Sequence, residues 1–459
     1  MARPARAAFV TLLTTALCAG LVSSALAVPA SVQTATMAAT IAATVQAPPV
    51  LAPLTTTGAA PTAAGVGAAL AAILKDPSLG PHHGIYVYDA SRGKPVFSVG
   101  AATPYTPAST LKLLTTTSAL ETLGPDHTFA TKVVSTGKGS IVLVGGGDPL
   151  LSVKQANDYP ARATLQTLAA STAKALKAQG LTSVTLGYDA SLFTGPAVNT
   201  HWEANYVPEG IAAPTSALWV NEGRIAPGMA RRSSSPPQAA AISFQKLLQQ
   251  YGIKVAAAPK AAVAPSTATL LSQVKSPTLG QIVEYINLHS DNDGAETLLR
   301  HVGIATGNGG SYVGGVKGVR ATLTKLGLDV SKATIYDGSG LTRANKVPLE
   351  LLAGAVRVAV SKDHPELRHL LTGLPIAGFN GSLKRGERFT TAGTSNGLGF
   401  VHAKTGTLTN VHSLAGYARD RTGTLLVFAI ASDSVPVPKT LDARAALDRA
   451  TAALASCGC

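Results

Sequence analysis

A serine and a lysine three residues apart, at the start of one short helix, constrain this chain more than any other feature. Pro107 favours a first helical turn, an apolar stripe begins at Leu111, and Gly124 ends the run. Residues i and i+3 share a helix face, so the Lys112 amino group can lie beside the Ser109 hydroxyl. A neutral lysine in a water-poor pocket can remove a serine proton and create a nucleophile. The pattern therefore predicts Ser109 as a nucleophile and Lys112 as its base.

Five other serines have a lysine three positions later, and their settings differ from that of Ser109. Two span a glycine in a predicted turn, two lie within predicted helices, and the last lies in a predicted connector; they are Ser91/Lys94, Ser135/Lys138, Ser171/Lys174, Ser243/Lys246 and Ser272/Lys275. A serine within a helix usually bonds to its own backbone or to water. Any single match of this spacing is therefore weak evidence for chemistry.

Two further motifs strengthen the evidence that Ser109 and Lys112 are catalytic. Ser290-Asp291-Asn292 is the only Ser-x-Asn in the chain, and Lys404-Thr405-Gly406 is the only Lys-Thr-Gly. The three motifs follow one another in the order that is found in serine enzymes acylated by penicillin. A Gly-x-Ser-x-Gly match at 393–397 lacks the strand and helix that a nucleophile elbow needs, so it is rejected.

With its flanking segments, the chain resembles D-alanyl-D-alanine carboxypeptidases of the penicillin-binding protein 4 type, the S13 peptidase family. The segments that carry the resemblance extend over most of residues 66–440; they are 107–115, 146–149, 289–292, 337–341, 374–378 and 403–408. The resemblance implies a serine DD-peptidase that removes the terminal D-alanine from peptidoglycan stem peptides through an acyl-enzyme on Ser109. Cleavage of D-alanyl cross-links is a second activity in this family. β-Lactams are expected to act as covalent inhibitors, and no cofactor or metal is expected.

The resemblance also assigns roles to the second motif. Ser290 is expected to relay a proton to the leaving amine, together with Lys112 or Lys404. Asn292 is expected to hold Lys112 and the substrate amide. Asp291 is interpreted as a cap or turn residue and not as a catalyst.

The third motif is predicted on an edge strand beside the cleft. Lys404 supplies positive charge, and Gly406 lets a peptide approach the backbone closely. The N–H of Thr407 would join that of Ser109 in an oxyanion hole. The hydroxyls of Thr405 and Thr407 suit the terminal carboxylate of the substrate. A lysine on an edge strand that only prevents aggregation is the alternative.

The predicted fold class is α+β. A hairpin at 85–99 and three strands between 401 and 431 are expected to form one antiparallel sheet flanked by helices, as in the penicillin-binding and β-lactamase-like transpeptidase domain. This domain is predicted in two segments, 66–132 and 275–459, with an inserted α/β domain at 133–274. The glycine-rich stretch at 307–318 is interpreted as a loop.

The ends of the chain indicate export by a bacterium to the cell wall or medium. Residues 1–27 have the charge, the apolar run and the A-x-A site of a secretory signal, and residues 28–65 have the composition of a disordered Ala/Thr/Pro-rich linker. No integral membrane span is predicted after signal cleavage. The formal net charge of +14 suits an anionic wall polymer, and its dispersal argues against nucleic acid. Cys457 and Cys459 allow a bridge to each other or to another chain.

Two other functions remain open from the sequence. A serine β-lactamase shares the three motifs and differs in fast deacylation, and the long interval between Ser109 and Ser290 argues against it. A non-catalytic wall-binding protein is less consistent with the intact set of motif residues.

Overall fold

The computed structural model of the protein describes residues 60–226 and 228–459. Within those ranges the α-helices are α1 (Ala63–Leu74), α2 (Lys112–Leu123), α3 (Leu165–Ala178), α4 (Pro236–Gln250), α5 (Leu279–His289), α6 (Asn292–Ala305), α7 (Tyr312–Lys325), α8 (Leu349–Val360), α9 (Arg368–Thr372) and α10 (Thr440–Ser456). The strands are β1 (His83–Asp89), β2 (Lys94–Val99), β3 (Pro104–Tyr105), β4 (Ala130–Gly137), β5 (Ser140–Val144), β6 (Ser183–Asp189), β7 (Lys254–Val255), β8 (Lys260–Ala261), β9 (Thr269–Lys275), β10 (Val347–Pro348), β11 (Val401–Leu408), β12 (Val411–Arg419) and β13 (Leu425–Ser432).

The first sheet joins the early hairpin to the last three strands of the chain. Its order is β11-β12-β13-β1-β2, and all of its pairings are antiparallel. The central pairing runs between β1 and β13, with Ile85 opposite Ile430. The strand β11 forms one edge of this sheet, as its sequence predicts.

The two faces of this sheet pack against different helices. In β13, Leu426, Phe428 and Ile430 belong to the core that contains α1 and α10, whereas Val427 and Ala429 belong to the core that contains α2 and α8. Successive side chains of a strand point to opposite faces, so a strand buried on both faces needs a continuous apolar run. The predicted antiparallel sheet with helices on both faces is confirmed.

Helix α2 lies at the centre of the helical layer. It packs against α5, α6, α7 and α8, and every residue from Lys112 to Leu120 is buried. Threonines and a serine along this helix satisfy their hydroxyls with carbonyls one turn earlier, as Thr116 does with the Lys112 carbonyl at 2.7 Å. The turn Ala108–Leu111, which precedes this helix, is therefore attached to a buried element that is packed on all sides.

A second sheet is formed within residues 130–275. Its order is β7-β6-β5-β4-β9, with β8 also paired to β6. The pairings from β5 to β7 are parallel and those of β4 are antiparallel. Helices α3 and α4 pack with this sheet around a separate apolar core that includes Leu143, Leu168 and Phe244.

The glycine-rich stretch 307–318 is interpreted as a loop from its composition, but only its first half is a loop. Its second half begins α7, which Ser311 caps by accepting a hydrogen bond from the Gly314 N–H. The glycines let α7 approach α6 closely, because a Cβ at Gly315 would lie 2.4 Å from the Leu299 carbonyl oxygen. The helix is thus formed for its packing, against the low intrinsic propensity of glycine.

Three other boundaries differ from those expected. The segment with Ser272 is the strand β9 and not a connector, because it pairs with β4. The apolar residues of 141–151 predict a strand, which in the structure is β5 and ends at Val144, after which the chain continues as a loop. Helix α1 begins at Ala63, so three residues of the predicted linker belong to it, while the predicted signal and residues 28–59 lie outside the described residues. Among the helices that the structure describes, none is long and apolar enough to cross a membrane.

Candidate active site

Ser109 lies in a single 3-10 turn, Ala108–Leu111, that leads directly into α2. Its side chain is partly exposed, whereas its neighbours on both sides are buried. Ala108 has a φ of 47°, a left-handed conformation that costs energy for a residue with a Cβ. Two hydrogen bonds hold the start of this turn in place, because the Pro107 carbonyl accepts from the hydroxyls of Thr110 (2.7 Å) and Ser413 (2.6 Å).

The Lys112 amino group is the centre of the first hydrogen-bonded group. Its Nζ lies 2.9 Å from Ser109 Oγ, 2.8 Å from Asn292 Oδ1 and 2.8 Å from the Ser339 carbonyl oxygen. A protonated lysine has three N–H donors, which match these three oxygens. A neutral lysine has two donors and a lone pair, so the donors can serve Asn292 and Ser339 while the lone pair accepts the Ser109 proton. The arrangement satisfies both protonation states.

Burial sets the proton affinity of this lysine. Lys112 is fully buried, and burial lowers its pKa to about 8 because the charged form loses water. Nearby carboxylates, Glu296 first among them, act in the opposite direction by stabilising the ammonium. A lysine of this kind is close to half neutral under mildly alkaline conditions.

The second motif spans the gap between α5 and α6. Ser290 caps the end of α5 with a φ of 56°, and Asn292 is the first residue of α6. The predicted capping role of Asp291 is confirmed, since its carboxylate accepts from the Asp293 N–H at 3.0 Å. Asn292 donates through Nδ2 to the Ile211 carbonyl at 3.0 Å, which orients its Oδ1 toward Lys112.

The motif is held in place by residues of the segment that leads to α4. The Asp293 carboxylate accepts from the Ala213 N–H at 2.7 Å and from Arg232 Nη2 at 2.7 Å. Arg232 and Asp293 are both almost fully buried. Glu222 lies close to Asp291 and Asp293 and pairs with Arg224 at 2.9 Å. The position of Asn292 therefore depends on the segment between β6 and α4.

The third motif forms a second hydrogen-bonded group. Lys404 is buried on β11, and its Nζ donates to Ser290 Oγ at 2.9 Å and to the Thr405 carbonyl at 3.0 Å. Burial, together with the positive charge of Lys112, lowers the pKa of Lys404 well below its ordinary value. Thr405 Oγ1 lies 2.7 Å from Ser382 Oγ, whereas Thr407 is exposed beyond it on the same strand.

Gly406 has a structural reason that sequence reasoning did not find. A Cβ there would lie 2.1 Å from Ser413 Oγ and 2.5 Å from the Pro107 carbonyl oxygen. The glycine therefore lets β11 lie directly against the turn that carries Ser109.

Sequence reasoning also missed three partners of the motif residues: Ser339, Ile211 and Ser382. The first two act through backbone carbonyls, which any residue supplies, so no side-chain pattern identifies them. The segment 337–341 was singled out by resemblance alone, with no role for its carbonyl groups.

The sequence model of the family described as D-Ala-D-Ala carboxypeptidase 3 (S13) matches residues 66–234 and 226–454. The chain belongs to the S13 family. Carboxypeptidase Rv3627c of Mycobacterium tuberculosis is 36% identical over 416 residues, covering 89% of this chain and 87% of that protein. Carboxypeptidase DacB of Mycolicibacterium smegmatis is 33% identical over 415 residues, with the same coverage of 89% and 87%.

A solved structure agrees with the fold of this S13 member. Penicillin-binding protein 4 (dacB) from Haemophilus influenzae superposes with a TM-score of 0.65 at 21% identity, covering 82% of this chain and 93% of that one. The predicted resemblance to the penicillin-binding protein 4 type is confirmed, and so is the predicted fold class. The protein is a D-Ala-D-Ala carboxypeptidase of a serine peptidase family.

Proposed function

We propose that this S13 carboxypeptidase is exported and removes the terminal D-alanine from peptidoglycan stem peptides through an acyl-enzyme on Ser109. The observation that carries the proposal is the 2.9 Å contact between Lys112 Nζ and Ser109 Oγ in a buried site. The lysine has its pKa lowered to about 8, so it can accept a proton near neutral pH. A partly exposed hydroxyl beside such a base is the arrangement expected for an activated nucleophile.

In the acylation step, Ser109 Oγ attacks the carbonyl carbon of the D-Ala-D-Ala bond while Lys112 takes its proton. The N–H groups of Ser109 and Thr407 stabilise the oxyanion. The C–N bond then breaks as the leaving amine takes a proton from Ser290, and the proton that Lys112 took from Ser109 replaces it through Lys404, whose Nζ lies 2.9 Å from Ser290 Oγ. Water attacks the resulting ester and gives a proton to Lys112, which is neutral again, and that proton passes to Ser109 as the shortened peptide leaves.

Recognition of the substrate terminus falls to the edge strand. The released D-alanine carries a carboxylate, and the hydroxyls of Thr405 and Thr407 with the charge of Lys404 form a suitable site for it. Asn292 has a second N–H beyond the one given to Ile211, which is available for the amide of the peptide.

The same site is proposed to cleave D-alanyl cross-links and to be acylated by β-lactams, whose ring carbonyl resembles the scissile amide. A β-lactam complex is known for penicillin-binding protein 4 of Haemophilus influenzae, which shares this fold. We also propose the division into a peptidase domain at 66–132 and 275–459 and an inserted domain at 133–274. The separate core of the second sheet supports it.

Export is proposed from the first 27 residues and tested by localisation. The tagged protein expressed in an actinobacterial host is expected in the envelope or medium fraction with residues 1–27 removed. Retention in the cytoplasm with an intact N terminus would contradict this part of the proposal.

The acyl-enzyme is tested by intact-protein mass after incubation with a penicillin. Wild type is expected to gain one stable adduct that Ser109→Ala lacks. Ser171→Ala is the matched control, because Ser171 has the same Ser-x-x-Lys spacing and its hydroxyl donates to the Thr167 carbonyl on α3 at 3.0 Å. Release of D-alanine from a pentapeptide is measured on the same three proteins.

Each other outcome of this test has one meaning. Rapid hydrolysis of the penicillin without a stable adduct would indicate β-lactamase activity at this site in place of the proposed peptidase activity. If no adduct forms, the penicillin is not hydrolysed and no D-alanine is released, the catalytic proposal is rejected in favour of a wall-binding protein.

A further inference from the structure

Glu296 is a fully buried carboxylate that no motif of the sequence singled out. It lies on α6, one helical turn after Asn292, and its side chain is 0% exposed. Its two oxygens accept hydrogen bonds from the N–H groups of Gly338 at 2.9 Å and Ser339 at 2.8 Å. A buried carboxylate is costly unless it is fully hydrogen-bonded and near a positive charge.

The loop that Glu296 holds is the one that contacts the proposed base. The carbonyl of Ser339 accepts from Lys112 Nζ at 2.8 Å, and its N–H is bound to Glu296. The carbonyl of Gly338 accepts from the Thr115 hydroxyl at 2.8 Å. The Gly338–Ser339 peptide group is therefore held on its oxygen by α2 and on its nitrogen by α6.

A second carboxylate completes the loop from within. Asp337 accepts from the N–H groups of Gly340 at 3.0 Å and Thr342 at 2.8 Å. Four backbone N–H groups of one short loop are thus directed to two buried carboxylates. Such a loop has little freedom to move its Ser339 carbonyl. A shift in either carboxylate would therefore change the hydrogen bond between this carbonyl and Lys112.

We propose that Glu296 is a positioning residue for the general base: it holds the Ser339 carbonyl against Lys112 and provides the negative charge that stabilises the protonated lysine. This inference rests on the proposed role of Lys112. Glu296 would thus act on the proton affinity of Lys112 as well as on the conformation of the loop that contains Ser339.

The electrostatics of the site agree with the geometry. Burial and the nearby Asp337 carboxylate raise the pKa of Glu296, whereas its hydrogen bonds from the N–H groups of Gly338 and Ser339 favour the ionised form and lower it; burial lowers the pKa of Lys112 to about 8. Glu296 is the largest of the influences that raise the pKa of Lys112. The other charged groups that face this lysine are Asp291, Asp293, Asp337 and Lys404.

The sign of the effect follows from the charge. Acylation requires neutral Lys112, so its rate falls on the acidic side of the lysine pKa. Glu296→Gln removes the negative charge and makes the ammonium less favourable, which moves the acidic limb of the profile to lower pH. The amide NH₂ would also face a backbone N–H, so the Ser339 carbonyl loses part of its support and the plateau rate falls.

The experiment measures the second-order rate of acylation by a fluorescent penicillin from pH 5 to pH 10. Glu296→Gln is expected to shift the acidic limb to lower pH and to lower the plateau about tenfold, since small displacements of a reacting group are costly. Thr115→Val removes the other support of the same peptide group without changing any charge, so it should lower the plateau and leave the limb in place. Asp448→Asn, a buried acid that pairs with Arg388 on the far side of the first sheet, is the control for general destabilisation.

The inference is overturned if the acidic limb of Glu296→Gln coincides with that of wild type while only its melting temperature falls, as in Asp448→Asn. If Glu296→Gln does not fold, Glu296→Asp keeps the charge and shortens the side chain. It should then lower the plateau with an unmoved limb, and a wild-type plateau would reject the positioning role. Absence of acylation in wild type would reject the proposed function itself, which is a separate result.

Discussion

Replacing Gly406 with alanine would test whether the edge strand β11 supports the proposed nucleophile, Ser109. The new Cβ would lie 2.5 Å from the Pro107 carbonyl oxygen and 2.1 Å from Ser413 Oγ. The serine can rotate its hydroxyl away, but the carbonyl belongs to the backbone just before Ser109. A normal contact would require the strand and the turn to separate by about 0.5–1 Å, since carbon and oxygen atoms do not approach much closer than about 3.2 Å.

Two losses are expected from this separation. Overpacking of this kind costs about 1–3 kcal/mol of stability. A displacement of about 1 Å at a reacting group reduces the rate about a hundredfold. Gly406→Ala should therefore fold with a lowered melting temperature and be acylated by a penicillin about a hundred times more slowly than wild type.

The matched control is Gly146→Ala, in the loop that follows β5 of the second sheet. A Cβ there would lie 2.1 Å from the Ala130 carbonyl oxygen, so the strain is comparable but distant from the serine turn. The control should lose stability and keep its acylation rate. If Gly406→Ala were acylated at the wild-type rate despite a similar loss of stability, contact with β11 would not be needed to support the proposed nucleophile.

The remaining predictions concern the proposed base, Lys112, and its neighbours. With the pKa of Lys112 lowered to about 8, the wild-type acylation rate should rise about tenfold from pH 6 to pH 7 and level off above pH 8; a rate independent of pH would contradict the role of this lysine. Asn292→Ala removes one of the oxygens that orient the Lys112 amino group and should slow acylation about a hundredfold with little change in melting temperature, which a thermal melt and the penicillin assay check together. Arg232→Ala leaves the buried Asp293 carboxylate without its cation and should cost about 3–5 kcal/mol in urea unfolding; a loss below about 1 kcal/mol would show that the pair is not important for stability.

Local rules account for the parts of the fold and site that the sequence predicts well. A serine and a lysine at i and i+3 meet on one helix face, and Asp291 has the short acceptor side chain that favours a helix start. The apolar run of β13 is explained by burial on both faces. The structure places Ser109, Lys112 and Asn292 in one hydrogen-bonded group.

The rest depends on contacts between distant segments. Ser339 and Ile211 contribute backbone carbonyls, and their residue types carry no sign of that role. Glu296 falls at a helix position where an exposed acid would be equally ordinary, so only its burial distinguishes it. The start of α7 could not be predicted because its glycines are selected by close packing on α6, which outweighs their helix propensity.

The pairing of β1 with β13 has a consequence for how the chain acquires activity during synthesis. The strand that completes the centre of the first sheet, at residues 425–432, is made long after its partner at residues 83–89. The second sheet, by contrast, closes within residues 130–275 and has its own core. Because chains emerge N terminus first and distant pairings form slowly, the second sheet is expected to be structured while the serine turn still lacks β11 beside it. The enzyme is thus expected to stay inactive until nearly all of it has been made, and a chain that stops before β13 leaves one edge of β1 unpaired and prone to aggregation, while its other edge pairs with β2.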